Sequence, residues 1–224
     1  MSDDAIVRCA IWENDLARLR RPRSSCGGYR LFDVLADGLA TQLATAMAVE
    51  EREVLGRLER GCRAFAWGWH EEIASWLWVS TGEEWAPPLR RMLRFAEGDC
   101  YGWNAGTLEH HRGRGLFAAL LEYAGWRMAQ QGCRAMWNGI IDGNLPSQRA
   151  HAAAGYRPVL RLTAVHEPPP TRLRVRAADY ADERLVERAL SMLGDDVVRV
   201  EDPGSLTHSD GKAVAAGPAA GRRR

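Results

Sequence analysis

Lysine is nearly missing from this chain: of 30 basic residues only Lys212 is a lysine, in a stretch rich in Gly, Ala and Pro. Schiff-base chemistry and the lysine of a phosphate-binding P-loop are therefore excluded, because the rest of the chain offers no side-chain amine. Paired cysteines are missing as well. Cys9, Cys26, Cys62, Cys100 and Cys133 are odd in number, scattered and never spaced C-x-x-C, which predicts reduced thiols in a cytoplasmic protein rather than a disulfide framework or a zinc knuckle. No apolar run approaches the roughly 20 residues of a membrane-spanning helix. The first ten residues, MSDDAIVRCA, lack the basic-then-apolar profile of a secretory signal, so no membrane association is expected. Nor is there an excess of one charge. Thirty basic against 29 acidic residues leave a formal +1, so nucleic acid is not an expected partner, the basic C-terminal GRRR is too short to imply one, and any anion site must be local.

What is present fits one well-buried domain with an appendage. Residues 6–12 read as a first strand, followed by an Arg-rich loop, RLRRPRSSCGG. Over 31–60 the recurrence of Leu35, Leu39, Leu43 and Met47 at every fourth residue predicts one or two helices. Then come two alternating runs joined by HEE, with Phe65, Trp67 and Trp69 on one face and Trp76 and Trp78 sharing another; this pattern predicts an antiparallel hairpin. Its tryptophans either wall a substrate pocket or pack a core. PPLRRMLRFAEGDC reads as a loop with a helical turn, and CYGWNAGTL as a strand whose glycines mark a bulge or a close backbone approach. A helix through about Gln131 with Gly132 as its stop, a strand CRAMWNGII, a short helix LPSQRAHAAAG, two strands YRPVLRLTAV and TRLRVRA, and a helix over 178–193 complete the pattern. The tail beyond about Asp202 has no periodicity and is expected to be disordered.

The chemistry concentrates in EHHRGRGLFAALLEYAG, residues 109–125. A helix start presents unpaired N–H groups and a positive dipole end, glycines permit close backbone approach, and Arg112 and Arg114 can add charge-assisted bonds, so the stretch is an anion cradle. Gly113, Gly115 and Ala118 also satisfy the dinucleotide fingerprint G-x-G-x-x-[GA]. No apolar strand directly precedes them, however, and no acidic residue follows about 20 residues on, as that motif requires. His110 and His111 invite a metal reading. Adjacent side chains are expected to diverge and no further ligand lies at helical spacing, so no metal is expected.

HHRGRGLFAALL, then a strand, then NLPSQRAHAAAGY resembles the signature of the GCN5-related N-acetyltransferase (GNAT) superfamily over about residues 61–165. Arg112, Gly115 and Phe117 occupy the places of the family's Arg/Gln, Gly and Gly/Ala, with Phe117 departing from the small residue; Asn144, Gly155 and Tyr156 match its second block. The resemblance implies an α/β (α+β) fold with a central mixed, mostly antiparallel sheet flanked by helices. It divides the chain into an acetyltransferase domain over 1–176, a helical extension over 177–201 and the tail over 202–224. Acetyl-CoA is the implied co-substrate. Thr107, Leu108, Arg112, Gly113, Arg114, Gly115, Phe117, Asn144 and Ser147 are the implied coenzyme-binding residues, the Leu108 amide holding the thioester carbonyl and the amides of 112–117 the pyrophosphate. His151 stands where many members carry a Tyr that protonates the departing thiolate, and Glu109 is the candidate base. The implied reaction is direct attack on acetyl-CoA by an amine of a small molecule or protein. A non-catalytic acyl-CoA sensor remains the alternative, and a homodimer is compatible with either.

Overall fold

The structure is a computed structural model that describes residues 6–22, 25–166 and 171–200; the tail expected to be disordered lies outside them. Strand β1 (Ile6–Asp15) is followed by β2 (Ser25–Cys26), β3 (Tyr29–Asp33), helices α1 (Ala40–Met47) and α2 (Glu51–Glu59), and the hairpin β4 (Arg63–Trp69) and β5 (Glu72–Ser80). A small second hairpin, β6 (Glu83–Ala86) and β7 (Arg91–Arg94), leads to β8 (Asp99–Thr107), a turn at Glu109–His111, α3 (Leu116–Gln130) and β9 (Ala135–Ile141). Helix α4 (Leu145–Ala153), β10 (Arg157–Val165), β11 (Arg172–Ala177), α5 (Glu183–Leu193) and β12 (Val197–Arg199) complete the order.

Ten strands form one sheet in the order β12-β11-β10-β1-β9-β8-β5-β4-β3-β2. Its neighbours are antiparallel except β8–β9 and β11–β12, which makes it a mixed, mostly antiparallel sheet. Strand periodicity of two sends neighbouring residues to opposite faces. Leu77 and Val79 of β5 meet Leu120, Leu121 and Ala124 of α3, while Trp78 between them meets Leu43 of α1 and Val54 of α2. Trp67 and Trp78 are thus core residues, 1% and 0% exposed.

Three readings are corrected. The helix expected over 31–60 begins only at Ala40, because residues 30–33 pair with β4 from Arg30↔Gly68 to Asp33↔Phe65; that pairing overrides the every-fourth leucines and leaves Leu35 52% exposed. The segment expected as loop and helical turn is the β6–β7 hairpin. The C-terminal segment is no separate appendage. Ala189, Leu190, Met192 and Leu193 of α5 pack with Ile11, Trp137 and Leu160 in the core, and β12 adds to the sheet beside β11.

Candidate coenzyme cleft and its neighbour

Strands β8 and β9 pair only from Asp99↔Ala135 to Gly102↔Asn138. Beyond that point each keeps its other partner: β8 stays with β5 to Ser75↔Thr107, and β9 stays with β1 to Cys9↔Ile141. The two therefore part like a V. A bulge helps to open it. Trp76 faces Gly106 and Trp78 faces Trp103, so two β8 residues stand against Leu77 alone, and Asn104 takes φ 41°, the left-handed turn typical of such sites. At the apex Asn138 Nδ2 donates to Gly102 O at 2.9 Å. The strand glycines mark close approaches. A side chain on Gly102 would meet the Asn138 amide at 2.5 Å, and one on Gly106 would collide with the Trp76 ring.

From Trp103 onward the β9-facing edge of β8 has no strand partner. The Leu108 amide, expected to hold the thioester carbonyl, is not on that free edge: it donates to Ala74 O at 2.9 Å. Leu108 therefore leaves the candidate binding set, and the open edge lies earlier in the strand.

The cleft between α3 and α4 holds about 780 Å³, within the range of small-molecule sites. Thr107, Arg112, Gly113, Arg114, Gly115, Phe117, Asn144 and Ser147 line it together, all of the expected coenzyme residues except Leu108. Arg149 joins them; sequence reasoning missed it because its cationic head comes from the second helix, outside the glycine motif. Three arginines and no carboxylate line this cleft, so its field favours an anion. Gly113 and Gly115 have φ 76° and 74°, and a Cβ on either would meet nothing within 4 Å, so the backbone here is bare. Gly115 is the N-cap of α3 and supplies no side-chain cap. Among the described residues no acceptor takes the amides of 113–118, which leaves a row of N–H groups at the positive end of a 15-residue helix. Arg112 Nε donates to Thr107 O at 3.1 Å, which orients the guanidinium while its terminal nitrogens stay available. These features fit the pyrophosphate of a coenzyme.

Asn144 and Ser147 play a different part from the one expected of them. Asn144 Oδ1 accepts from the Ser147 amide at 3.1 Å, so it caps α4, and Pro146 fills the first turn. His151 is 2% exposed and packs edge-on against Phe117 and Tyr156 at ring separations of 5.5 and 5.0 Å. Its Nδ1 lies 2.8 Å from Ser147 O. A carbonyl only accepts, so the proton is on Nδ1 and Nε2 carries a lone pair without a partner among the described residues. Burial lowers its pKa to about 4. At neutral pH His151 has no proton to donate from Nε2, and the acid role expected of it is withdrawn.

Glu109 is exposed in the turn Glu109–His111 and is not among the cleft residues. The group that sequence reasoning missed is Glu72. His110 Nε2 and His111 Nε2 both reach Glu72 Oε2, at 3.0 and 2.8 Å, and these bonds, His111's first, hold the carboxyl below its usual pKa. Tyr29 Oη lies 2.8 Å from His111 Nδ1. The adjacent histidines thus converge, ring centroids 4.2 Å apart, where divergence was expected. A second cavity of about 600 Å³ opens here, between α1 and the β4–β5 turn, lined by Trp69, Glu71, Glu72, Leu108 and His110 among others. His111 faces the coenzyme cleft, so the turn separates the two spaces.

No helix among the described residues is long and apolar enough to cross a membrane. No curated protein matches the sequence. Among solved structures, a Drosophila protein superposes with TM-score 0.51 at 12% identity over 70% of this chain and 50% of its own. A GNAT-family acetyltransferase from Novosphingobium aromaticivorans gives 0.48 at 15%, over 70% and 62%, and one from Colwellia psychrerythraea 0.48 at 16%, over 70% and 55%. The chain thus spans between half and 62% of the length of these structures, and at such identities the likeness is one of fold. Residues 35–156, more than half of the chain, match the acetyltransferase (GNAT) family, and the chain belongs to that family.

Proposed function

We propose that the protein transfers an acetyl group from acetyl-CoA to a primary amine of a small molecule or protein by direct attack. The observation that carries this reading is the meeting of a carboxylate-free cleft, lined by Arg112, Arg114 and Arg149, with uncapped α3 amides beside the unpaired edge of β8. The amides of 113–118 and the arginines would take the coenzyme's phosphates, and the thioester would lie along the open edge of β8 between Trp103 and Thr107. There, backbone N–H groups fixed by the sheet can hold the oxyanion that develops as the amine adds, the largest contribution in acyl transfer.

The balance of the step needs no acyl-enzyme. A C–N bond forms, the C–S bond breaks, and the proton lost from the acceptor nitrogen passes, directly or through water, to the departing thiolate, whose pKa is about 8.5 if it behaves as an ordinary thiol. His151 holds the cleft wall through Phe117 rather than supplying that proton.

The test is incubation with acetyl-CoA and a panel of amines while free thiol is followed. Acceptor-dependent thiol release supports transfer. Tight coenzyme binding with no release for any amine would instead make the protein a sensor.

A further inference from the structure

We infer that Glu72, His110 and His111 form a binding site for one divalent transition metal ion of the zinc class, which ties the β4–β5 turn to the start of the coenzyme cradle. Their three donor atoms lie within 4.8 Å of one another. The Nε2–Oε2 separations of 3.0 and 2.8 Å are close to the edge of about 3 Å that two ligands at right angles make on bonds of about 2.1 Å. Small side-chain rotations therefore admit an ion where the two hydrogen bonds now converge.

The donor set is two imidazoles and one carboxylate, which suits zinc and its neighbours rather than magnesium or calcium. Tyr29 supplies the outer support such a site needs. When His111 gives its Nε2 lone pair to the ion, its proton sits on Nδ1 and donates to Tyr29 Oη, the atom already 2.8 Å away, fixing ring and tautomer. Access is open on the other side. Glu72 and His110 side chains are 46% and 62% exposed, His111 only 6%, so the site is anchored from within and leaves its remaining positions to water or a ligand in the second cavity, which Glu72 and His110 line.

The ion would join residues far apart in sequence. His111 is followed directly by Arg112 and Gly113 of the cradle, whereas Glu72 starts β5. Metal binding would stiffen the segment that presents the α3 amides, and it stands independently of acyl transfer, since it can be measured without coenzyme.

The full chain, made without a histidine tag and stripped with chelator, is titrated with Zn²⁺ by calorimetry and with Co²⁺ by visible absorption. The expected result is one site, Co²⁺ ligand-field bands, and a melting temperature raised by about 5 °C or more at a hundredfold excess of Zn²⁺ over Kd. His110→Ala and Glu72→Gln should each weaken binding at least tenfold. Thermal melting and coenzyme binding of each variant show that it is folded. Absence of Co²⁺ bands in the wild-type chain would overturn the proposal, leaving a hydrogen-bonded cluster only; so would unchanged affinity in both folded variants, which places the ion elsewhere. Failure of acetyl transfer with metal binding intact would count against the proposed activity alone.

Discussion

Two helix starts in this protein solve the same problem in opposite ways. At α5 the Asp182 carboxylate accepts from the amides of Arg184 and Leu185 at 3.0 and 3.4 Å, so the exposed donors are satisfied within the chain. At α3 the cap position is Gly115, with no side chain to offer, and the first-turn amides have no acceptor among the described residues. Helix α4 sides with α5, its start closed by Asn144. A cap worth about 1 kcal/mol is the ordinary arrangement. Where it is withheld beside three arginines and no carboxylate, the unfilled donors belong to a ligand, and the stability forgone is recovered on binding.

The contrast can be broken at several points. The largest effect is expected on the closed side, at His151. Its pKa of about 4 in the fold lies below the value near 6.5 of an unfolded chain, so the unfolded state binds the proton first as pH falls. Stability should be full above about pH 6.5 and decline toward pH 4, by about 3 kcal/mol from this group. Urea unfolding across that range should show a correspondingly shallower decline in His151→Phe. Equal slopes would mean the imidazole is not buried neutral, and would reopen its candidacy as an acid.

On the open side, Gly115→Asp puts a carboxylate among the free amides at a position where space is available. Calorimetric affinity for CoA should fall roughly a hundredfold through lost charge-assisted bonds, while the melting temperature moves only slightly. An unchanged Kd would disprove the cradle. Arg112→Ala should cost about tenfold in the same measurement, as one charged hydrogen-bonding partner is removed. Smallest is Asp182→Ala, expected to lower unfolding free energy by about 1 kcal/mol and to leave CoA affinity untouched; a change in affinity would show that the two helix starts are coupled.

How much of this could be read in advance follows from how local each feature is. The cradle was legible because Arg112, Gly113, Arg114 and Gly115 are consecutive and sit before an apolar run of helical period. The β4–β5 hairpin was legible from alternation, and the same two-residue period assigned its tryptophans to opposite faces. Features that depend on a distant partner were not. Leu108 loses its donor to Ala74 across the β5–β8 pair, and His110 and His111 meet on Glu72, nearly forty positions away. In His151 the residue type was read correctly and its state was not, because burial among Phe117, Tyr156 and Trp12 sets the proton's position. Leu31 and Phe32 were misassigned for the same reason, their fate being decided by β4.

The parting of β8 from β9 after Gly102 and Asn138 also bears on how this sheet avoids sticking to others. An unpaired strand edge on the outside of a sheet invites another sheet to dock, and proteins usually blunt it with charge, proline or a covering element. Here the exposed backbone lies between the fifth and sixth strands of ten, with β5 beyond it on one side and β1 beyond it on the other. No second sheet can reach that depth. Only something as slim as a single extended chain can lie along it, so the protein keeps a reactive length of backbone open to one shape of guest and closed to its own kind.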